Sequence, residues 1–283
     1  PWSLTCASSK RAMAEPFQVL VLNNISARGL ARLPAERFVA GKDVAAPDAV
    51  LVRSADMHAM DIPKSVLAIG RAGSGTNNIP VKAMTARGVP VFNAPGANAN
   101  AVKELVLTGM LMAALNIGAA MCFVFGVDPA DPDMEKKGVY GKNTFAGYEL
   151  AGHTLGVIGL GMIGRLVADM ALKMGMHVLG YDPEITVEAA WSLSSQVKKA
   201  NSVAEVLKHS HFVTLHVPLV DATRHMINAD SLTQMKHGAV LLNFSREGVV
   251  EEAAVLAALD AEKLGGYVCD FPSPRDNVHP HVI

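Results

Sequence analysis

The sequence predicts an α/β protein of two units, each a parallel sheet wound by helices. Three observations predict it. Short apolar runs alternate with helical segments, as parallel strands joined by crossover helices require. The turn-rich run Ala94-Pro95-Gly96-Ala97-Asn98-Ala99-Asn100 interrupts that alternation and sets a boundary at about residue 100. In the second half, a strand-like run leads into spaced glycines and then an apolar segment of helical period.

The chain of 283 residues is long enough for two cores, and half of it is apolar with a formal net charge of −1. That balance gives no electrostatic case for nucleic acid or a membrane surface as partner. Cys6, Cys122 and Cys269 are scattered, with neither a disulfide framework nor metal-ligand spacing. No metal is therefore expected, and a reducing compartment, the cytoplasm, is. Residues 1–16 form an N-terminal extension with no acid before Glu15. It reads as a fragment end; an organelle stroma or matrix is the alternative location if it belongs to a transit peptide.

Taking the elements in order, Gln18 to Asn23, Ala49 to Ser54, Leu67 to Gly70 and Val89 to Asn93 read as strands of the first unit, residues 17–100. Leu105 to Val127 then carries no formal charge, a length that could span a membrane. Thr108, Asn116 and several glycines interrupt it and no basic cluster flanks it, so one helix buried between domains or subunits is expected instead. Asp128 to Gly147, polar and rich in Asp, Pro, Lys and Gly, reads as a surface loop with Lys136, Lys137 and Lys142 in solvent.

The centre of the second unit, residues 101–283, runs from Thr154 to Pro183. Leu155 to Ile158 is a strand, Gly159-Leu160-Gly161-Met162-Ile163-Gly164 a turn, and Leu166, Val167, Met170, Ala171 and Met174 recur at helical spacing. Gly159 permits a tight turn, Gly161 a close approach of backbone to a pyrophosphate, and Gly164 close packing of helix on sheet. Asp182 ends the next strand, where a carboxylate takes a ribose diol and repels a 2′-phosphate. The unit therefore reads as a Rossmann-type site for NAD rather than NADP. An empty glycine turn and a methyltransferase-like site are the alternatives.

Strands at His211 to Val217, Ala239 to Phe244 and Gly266 to Phe271, with helices at Val203 to Lys208 and Glu251 to Ala261, complete the alternation. Ligands of such sheets sit beyond the strand carboxyl ends, which singles out Arg53, Arg71, Asn98, His216, Arg246 and Asp270. Arg246 directly follows a strand, and its planar fork matches a carboxylate. An arginine paired to a nearby acid is the plainer account.

At these residues the chain resembles the D-2-hydroxyacid dehydrogenase family, from about Phe17 to its last residue. The segments that carry the likeness are Leu22-Asn23-Asn24-Ile25-Ser26, Val52-Arg53-Ser54, Gly70 through Asn78, Asn93 through Asn100, the glycine turn, His216-Val217-Pro218 and Cys269-Asp270-Phe271-Pro272. The likeness is strongest to the branch that oxidises 3-phospho-D-glycerate to 3-phosphohydroxypyruvate in serine biosynthesis. It implies a smaller flavodoxin-like substrate domain beside the NAD domain. It implies that Arg53, with Ser54, and Arg71 hold the substrate phosphate, and that the amides of Gly73, Ser74 and Gly75 form a nest for the carboxylate. Arg246 would orient carboxylate and carbonyl as the catalytic cation, and Asp270 would meet the nicotinamide carboxamide. Asn98, Met162, Ile163, His216, Val217, Pro218 and Ser245 would line the cofactor, and residues 101–127 would form a homodimer contact.

The pattern departs from the family at its acid–base pair. Where a carboxylate should hold the catalytic histidine, the chain has Ser273-Pro274-Arg275-Asp276. His281 follows a proline, as the family histidine does, but His279 through Ile283 better matches the strand before it, which sets the catalytic histidine beyond Ile283. His153, His209, His211, His225 and His237 read as surface groups. A dehydrogenase for another 2-hydroxyacid and a non-catalytic NAD-sensing module are the rival readings.

Overall fold

The computed structural model describes residues 15–128, 130, 132–271 and 279–283, without the side chains of Val139 and Lys142. The extension up to residue 14, with Cys6, and Ser273-Pro274-Arg275-Asp276 lie outside the described residues. The chain divides into Pro1–Ala97 and Asn98–Ile283, within the turn-rich run that set the expected boundary at about residue 100. Asn98 already stands at the start of a helix, so it belongs with the second unit.

The first unit contains β1 (Phe17–Val21), α1 (Ala27–Leu30), β2 (Phe38–Gly41), β3 (Ala49–Val52), β4 (Ala68–Arg71), α2 (Val81–Ala86) and β5 (Val91–Phe92). The sheet is parallel throughout, in the order β2-β1-β3-β4-β5, which is the flavodoxin-like winding. Val50 and Val52 alternate with half-exposed neighbours and bury one face of β3 against Met57, Ile69, Ile79 and Met84.

The second unit begins with α3 (Ala99–Ala114), α4 (Ile117–Phe125) and α5 (Met134–Thr144). Two expectations are corrected here. The uncharged stretch is not one helix: α3 and α4 meet at 65°, because Asn116 takes a left-handed conformation with φ +51° that ends the first helix. Among the described residues, no single helix is long and apolar enough to cross a membrane. The expected surface loop holds the helix α5, with Asp133 at its N-cap position but no side-chain capping bond.

The sheet of this unit is built from β6 (Thr154–Ile158), α6 (Met162–Lys173), β7 (His177–Tyr181), α7 (Val187–Trp191), β8 (Lys198–Lys199), α8 (Val203–His209), β9 (Phe212–Leu215), α9 (Ala229–Thr233), β10 (Ala239–Asn243), a 3-10 turn at Glu247–Val249, α10 (Glu252–Asp260) and β11 (Leu264–Cys269). Its order is β11-β10-β9-β6-β7-β8, all parallel, so the winding reverses between β6 and β9. That reversal opens the crevice where a doubly wound sheet takes its ligand.

Strand β10 is buried over its whole length because both faces are covered. Val240 and Leu242 join Val106 and Met110 of α3 and Val167 and Ala171 of α6, while Ala239 and Leu241 join Leu207, Leu232 and Val255 on the other side. Each fully buried side chain of this kind contributes about 1.5–3 kcal/mol, so the two cores fix the strand ends firmly. Beyond β11, Val282 bridges Tyr267 in parallel, with Tyr267 N–H donating to His281 O at 2.9 Å and Cys269 N–H to Ile283 O at 3.0 Å.

Candidate functional site

The glycine turn closes β6 against the reversal point. Gly159 has φ +92°, and a Cβ there would lie 2.5 Å from the carbonyl oxygen of His216 at the end of β9. Gly164 brings the first turn of α6 against that same turn, since a Cβ would lie 1.9 Å from Gly159 O. Gly161 differs from both: its Cβ position meets nothing within 4 Å. It opens helix α6 with no side-chain cap, which leaves the first-turn amides of Met162, Ile163 and Gly164 without a side-chain acceptor. A diphosphate fits there, against backbone N–H groups and the positive end of the helix dipole.

Asp182, just past β7, reaches back to this turn. Its Oδ2 accepts from Leu160 N–H at 2.8 Å and its Oδ1 from Glu184 N–H at 2.9 Å. A cavity of about 450 Å³ opens beside it, lined among others by Leu160, Tyr181, Ile185 and Asn201. A carboxylate locked on two amides is pre-set for a ribose diol, and a phosphate ester in that place would meet its charge.

His216 lies at the end of β9, with Nε2 3.0 Å from Thr214 Oγ1. Its Nδ1 is buried and meets no partner among the described residues. Burial lowers its pKa to about 4, so the ring is neutral at physiological pH. Val217 packs on the Gly159 turn, and Pro218 O accepts from Thr223 Oγ1 at 2.5 Å.

Arg246 begins the 3-10 turn after β10, and its Nη1 donates to Ser245 O at 2.6 Å. No carboxylate pairs with it among the described residues. Ser245 is buried and donates through Oγ to Asn243 Oδ1 at 2.9 Å. Asp270 is exposed past β11, its N–H on Asn243 O at 3.2 Å. Asn98 stands exposed at the start of α3, its side chain uninvolved in capping. The residues named along the cofactor thus share the carboxyl edge of one sheet, apart from Asn98, which sits on α3.

In the first unit, Arg71 ends β4 and Arg53 follows β3, exposed. The expected nest needs one correction. Gly73 N–H is not open to a ligand, because it donates to Arg71 O at 2.9 Å. Gly73 serves instead through its missing side chain: at φ +147°, its Cβ would lie 1.8 Å from Arg71 Nη1. The guanidinium therefore lies over the loop that carries Ser74 and Gly75. Asparagines missed as site residues hold the loops in place. Asn23 Oδ1 accepts from Ser54 N–H at 3.1 Å, Asn78 Nδ2 donates to Ala55 O at 2.7 Å, and Asn93 Nδ2 donates to Ser74 O at 2.7 Å.

The remaining histidines stand elsewhere. His153 and His211 are not simple surface groups: their rings meet edge-on at 4.8 Å, and His211 Nδ1 accepts from Thr154 N–H at 3.0 Å, at the amino end of β6. His281 is exposed and pairs near Gly266 and Tyr267, short of the end of β11, while His279 Nε2 lies 3.4 Å from Asp260. Among the described residues, no group of three His, Cys, Asp or Glu side chains is arranged to hold a metal ion.

Sheet order, glycine turn and Asp182 together define a dinucleotide-binding dehydrogenase-type fold. Residues 117–282 match the NAD-binding domain of the D-isomer specific 2-hydroxyacid dehydrogenases, and the chain belongs to that family. It is 38% identical over 236 residues to D-3-phosphoglycerate dehydrogenase of Methanocaldococcus jannaschii, a match covering 81% of this chain and 43% of that protein. Hydroxypyruvate reductase of Thermotoga maritima is 34% identical over 247 residues, covering 83% and 74%. The chain thus spans less than half the length of the first of these relatives. Apo D-mandelate dehydrogenase of Rhodotorula graminis shares the fold with a TM-score of 0.79 at 21% identity, over 94% of this chain and 86% of that one.

Proposed function

We propose that the protein oxidises 3-phospho-D-glycerate to 3-phosphohydroxypyruvate with NAD, in serine biosynthesis. One observation carries the choice of substrate. Arg71 pairs in register with Val52, so Arg53 follows directly at the end of the neighbouring strand. Two guanidinium groups on one sheet edge suit a phosphate ester, whereas a neutral hydroxyl gives them nothing to neutralise. The D-3-phosphoglycerate dehydrogenase relative supports the same choice.

Bound NAD supplies the hydride acceptor. The part of this chain is positioning and charge: α6 amides take the diphosphate, Asp182 the ribose, and Arg246 the substrate carboxylate and the carbonyl that forms. A cation fixed by its own backbone costs no reorganisation as charge develops there. Removing the hydroxyl proton needs a base whose pKa is near the working pH. His216, held neutral at a pKa of about 4, does not meet that need, and His281 lies short of the strand end.

The second reading is an unphosphorylated hydroxyacid, favoured by the 74% of the T. maritima hydroxypyruvate reductase that the match covers. Competition between 3-phosphohydroxypyruvate and hydroxypyruvate for the NADH complex separates the two. The proposal expects the phosphorylated acid to bind at least tenfold more tightly, with the preference lost in Arg71→Ala. Equal affinities favour the unphosphorylated reading.

A further inference from the structure

Asn243 is the last residue of β10 and 1% exposed, a primary amide closing a run that is otherwise apolar. Every polar atom of its side chain bonds to the loop that leaves the strand. Its Oδ1 accepts from Ser245 N–H at 3.2 Å and from Ser245 Oγ at 2.9 Å, and its Nδ2 donates to Arg246 O at 3.0 Å. Its main-chain carbonyl takes Asp270 N–H from the next strand at 3.2 Å. One buried residue therefore ties down both groups that the proposed function sets against the reacting end of the ligands, Arg246 and Asp270.

We infer that Asn243 is the positioning residue that fixes the Arg246 guanidinium for the substrate carboxylate. The inference rests on the proposed function and adds a residue to it. Arg246 has no acid to hold it among the described residues, and its Nη1 bond to Ser245 O moves wherever that loop goes. The amide of Asn243 meets Ser245 and Arg246 at once, and Val249 N–H adds a second bond to Arg246 O at 3.2 Å. A primary amide is needed because the site asks for an acceptor and a donor on the same short side chain. A carboxylate in its place keeps the bonds from Ser245 but turns an acceptor toward Arg246 O, which repels the backbone it should hold. Asn243 itself touches no ligand in this account, so its effect passes through Arg246.

The test compares Asn243→Asp, Arg246→Lys and the double variant with the unsubstituted protein. Two affinities are measured: NADH by fluorescence, and hydroxypyruvate for the preformed NADH complex. Positioning predicts that Asn243→Asp leaves NADH affinity within about twofold and weakens hydroxypyruvate about tenfold or more. It also predicts that the double variant is no weaker than Arg246→Lys alone, since both changes remove one interaction. Equal loss of NADH and hydroxypyruvate affinity would mean a merely structural role, and losses that multiply in the double variant would overturn the inference. If Asn243→Asp does not fold, Asn243→Ala, which removes the three side-chain bonds without adding a charge, carries the same comparison with the same selective loss of hydroxypyruvate. Failure of the unsubstituted NADH complex to bind any keto acid would overturn the proposed function itself, and the inference with it.

Discussion

The Asp182 carboxylate holds the Leu160 amide at 2.8 Å, so the residue expected to read the ribose also pins the glycine turn. The two jobs separate in their consequences. Asp182→Ala leaves the N–H of Leu160, a buried residue, without its acceptor, at a cost of about 1–3 kcal/mol. Urea unfolding without cofactor measures that cost; an unchanged midpoint would mean the turn stands without the aspartate.

The glycines of the turn should fail differently. Gly164→Ala sets a methyl against Gly159 O, which no side-chain movement relieves, and costs about 3 kcal/mol or more. Gly161→Ala meets nothing in the protein and should leave the thermal midpoint within about a degree while weakening NADH about tenfold, because the methyl stands where the diphosphate approaches. A stability loss at Gly161 as large as at Gly164 contradicts this division.

Gly73→Ala displaces the Arg71 guanidinium from the loop and forces an alanine toward positive φ. The preference for a phosphorylated keto acid should drop to the level of Arg71→Ala, with NADH affinity unchanged. Retention of the full preference would show that the position of Arg71 over this loop is immaterial.

His216 makes stability depend on pH. Its folded pKa of about 4 lies below the unfolded value of 6.5, so the unfolded chain binds the proton first. Stability is complete above pH 6.5 and falls as pH drops toward 4, by about 3 kcal/mol over the interval. His211, lowered by burial and then by Lys236 and His153, acts in the same direction. Urea midpoints at pH 7.5 and 5 should differ less in His216→Gln than in the unsubstituted protein; an identical difference contradicts the burial of a neutral ring.

Helix α4 leaves Met121, Val124 and Phe125 in solvent, Phe125 at 80% exposure. We propose α4 as part of the homodimer contact that the resemblance implies for residues 101–127, so self-association should be lost when Val124 and Phe125 are both replaced by glutamate. Sedimentation equilibrium checks this, and an unaltered mass would place the contact elsewhere.

Much of this was legible in the sequence where a local period meets a local constraint. The β6–α6–β7 unit was legible because a strand run, three glycines and a helical stripe each carry their own signal, and the structure buries Val167, Met170 and Ala171 of that stripe. Strand β2 was missed because it is a short edge strand with no residue fully buried. Asn116 was visible as a polar interruption, but its left-handed conformation, which breaks the stretch into two helices, leaves no trace in periodicity. Helix α5 was masked by Gly138, Gly141 and a polar composition. At the proposed site, strand-end position singled out Arg53, Arg71, Arg246 and Asp270, and the structure places each at or just past the end of a strand. Strand-end position could not show that Gly73 makes room for Arg71, or that Asn243, inside an apolar run, holds Arg246; both depend on side chains that meet only after folding.

An equilibrium titration of NADH and NADPH tests the NAD site built on the glycine turn and Asp182. NADH should bind at least tenfold tighter than NADPH, and Asp182→Ala should lose tenfold or more of the NADH affinity and narrow the gap between them. Equal binding of the two cofactors by the unsubstituted protein, or an Asp182→Ala variant with unchanged NADH affinity, would contradict it.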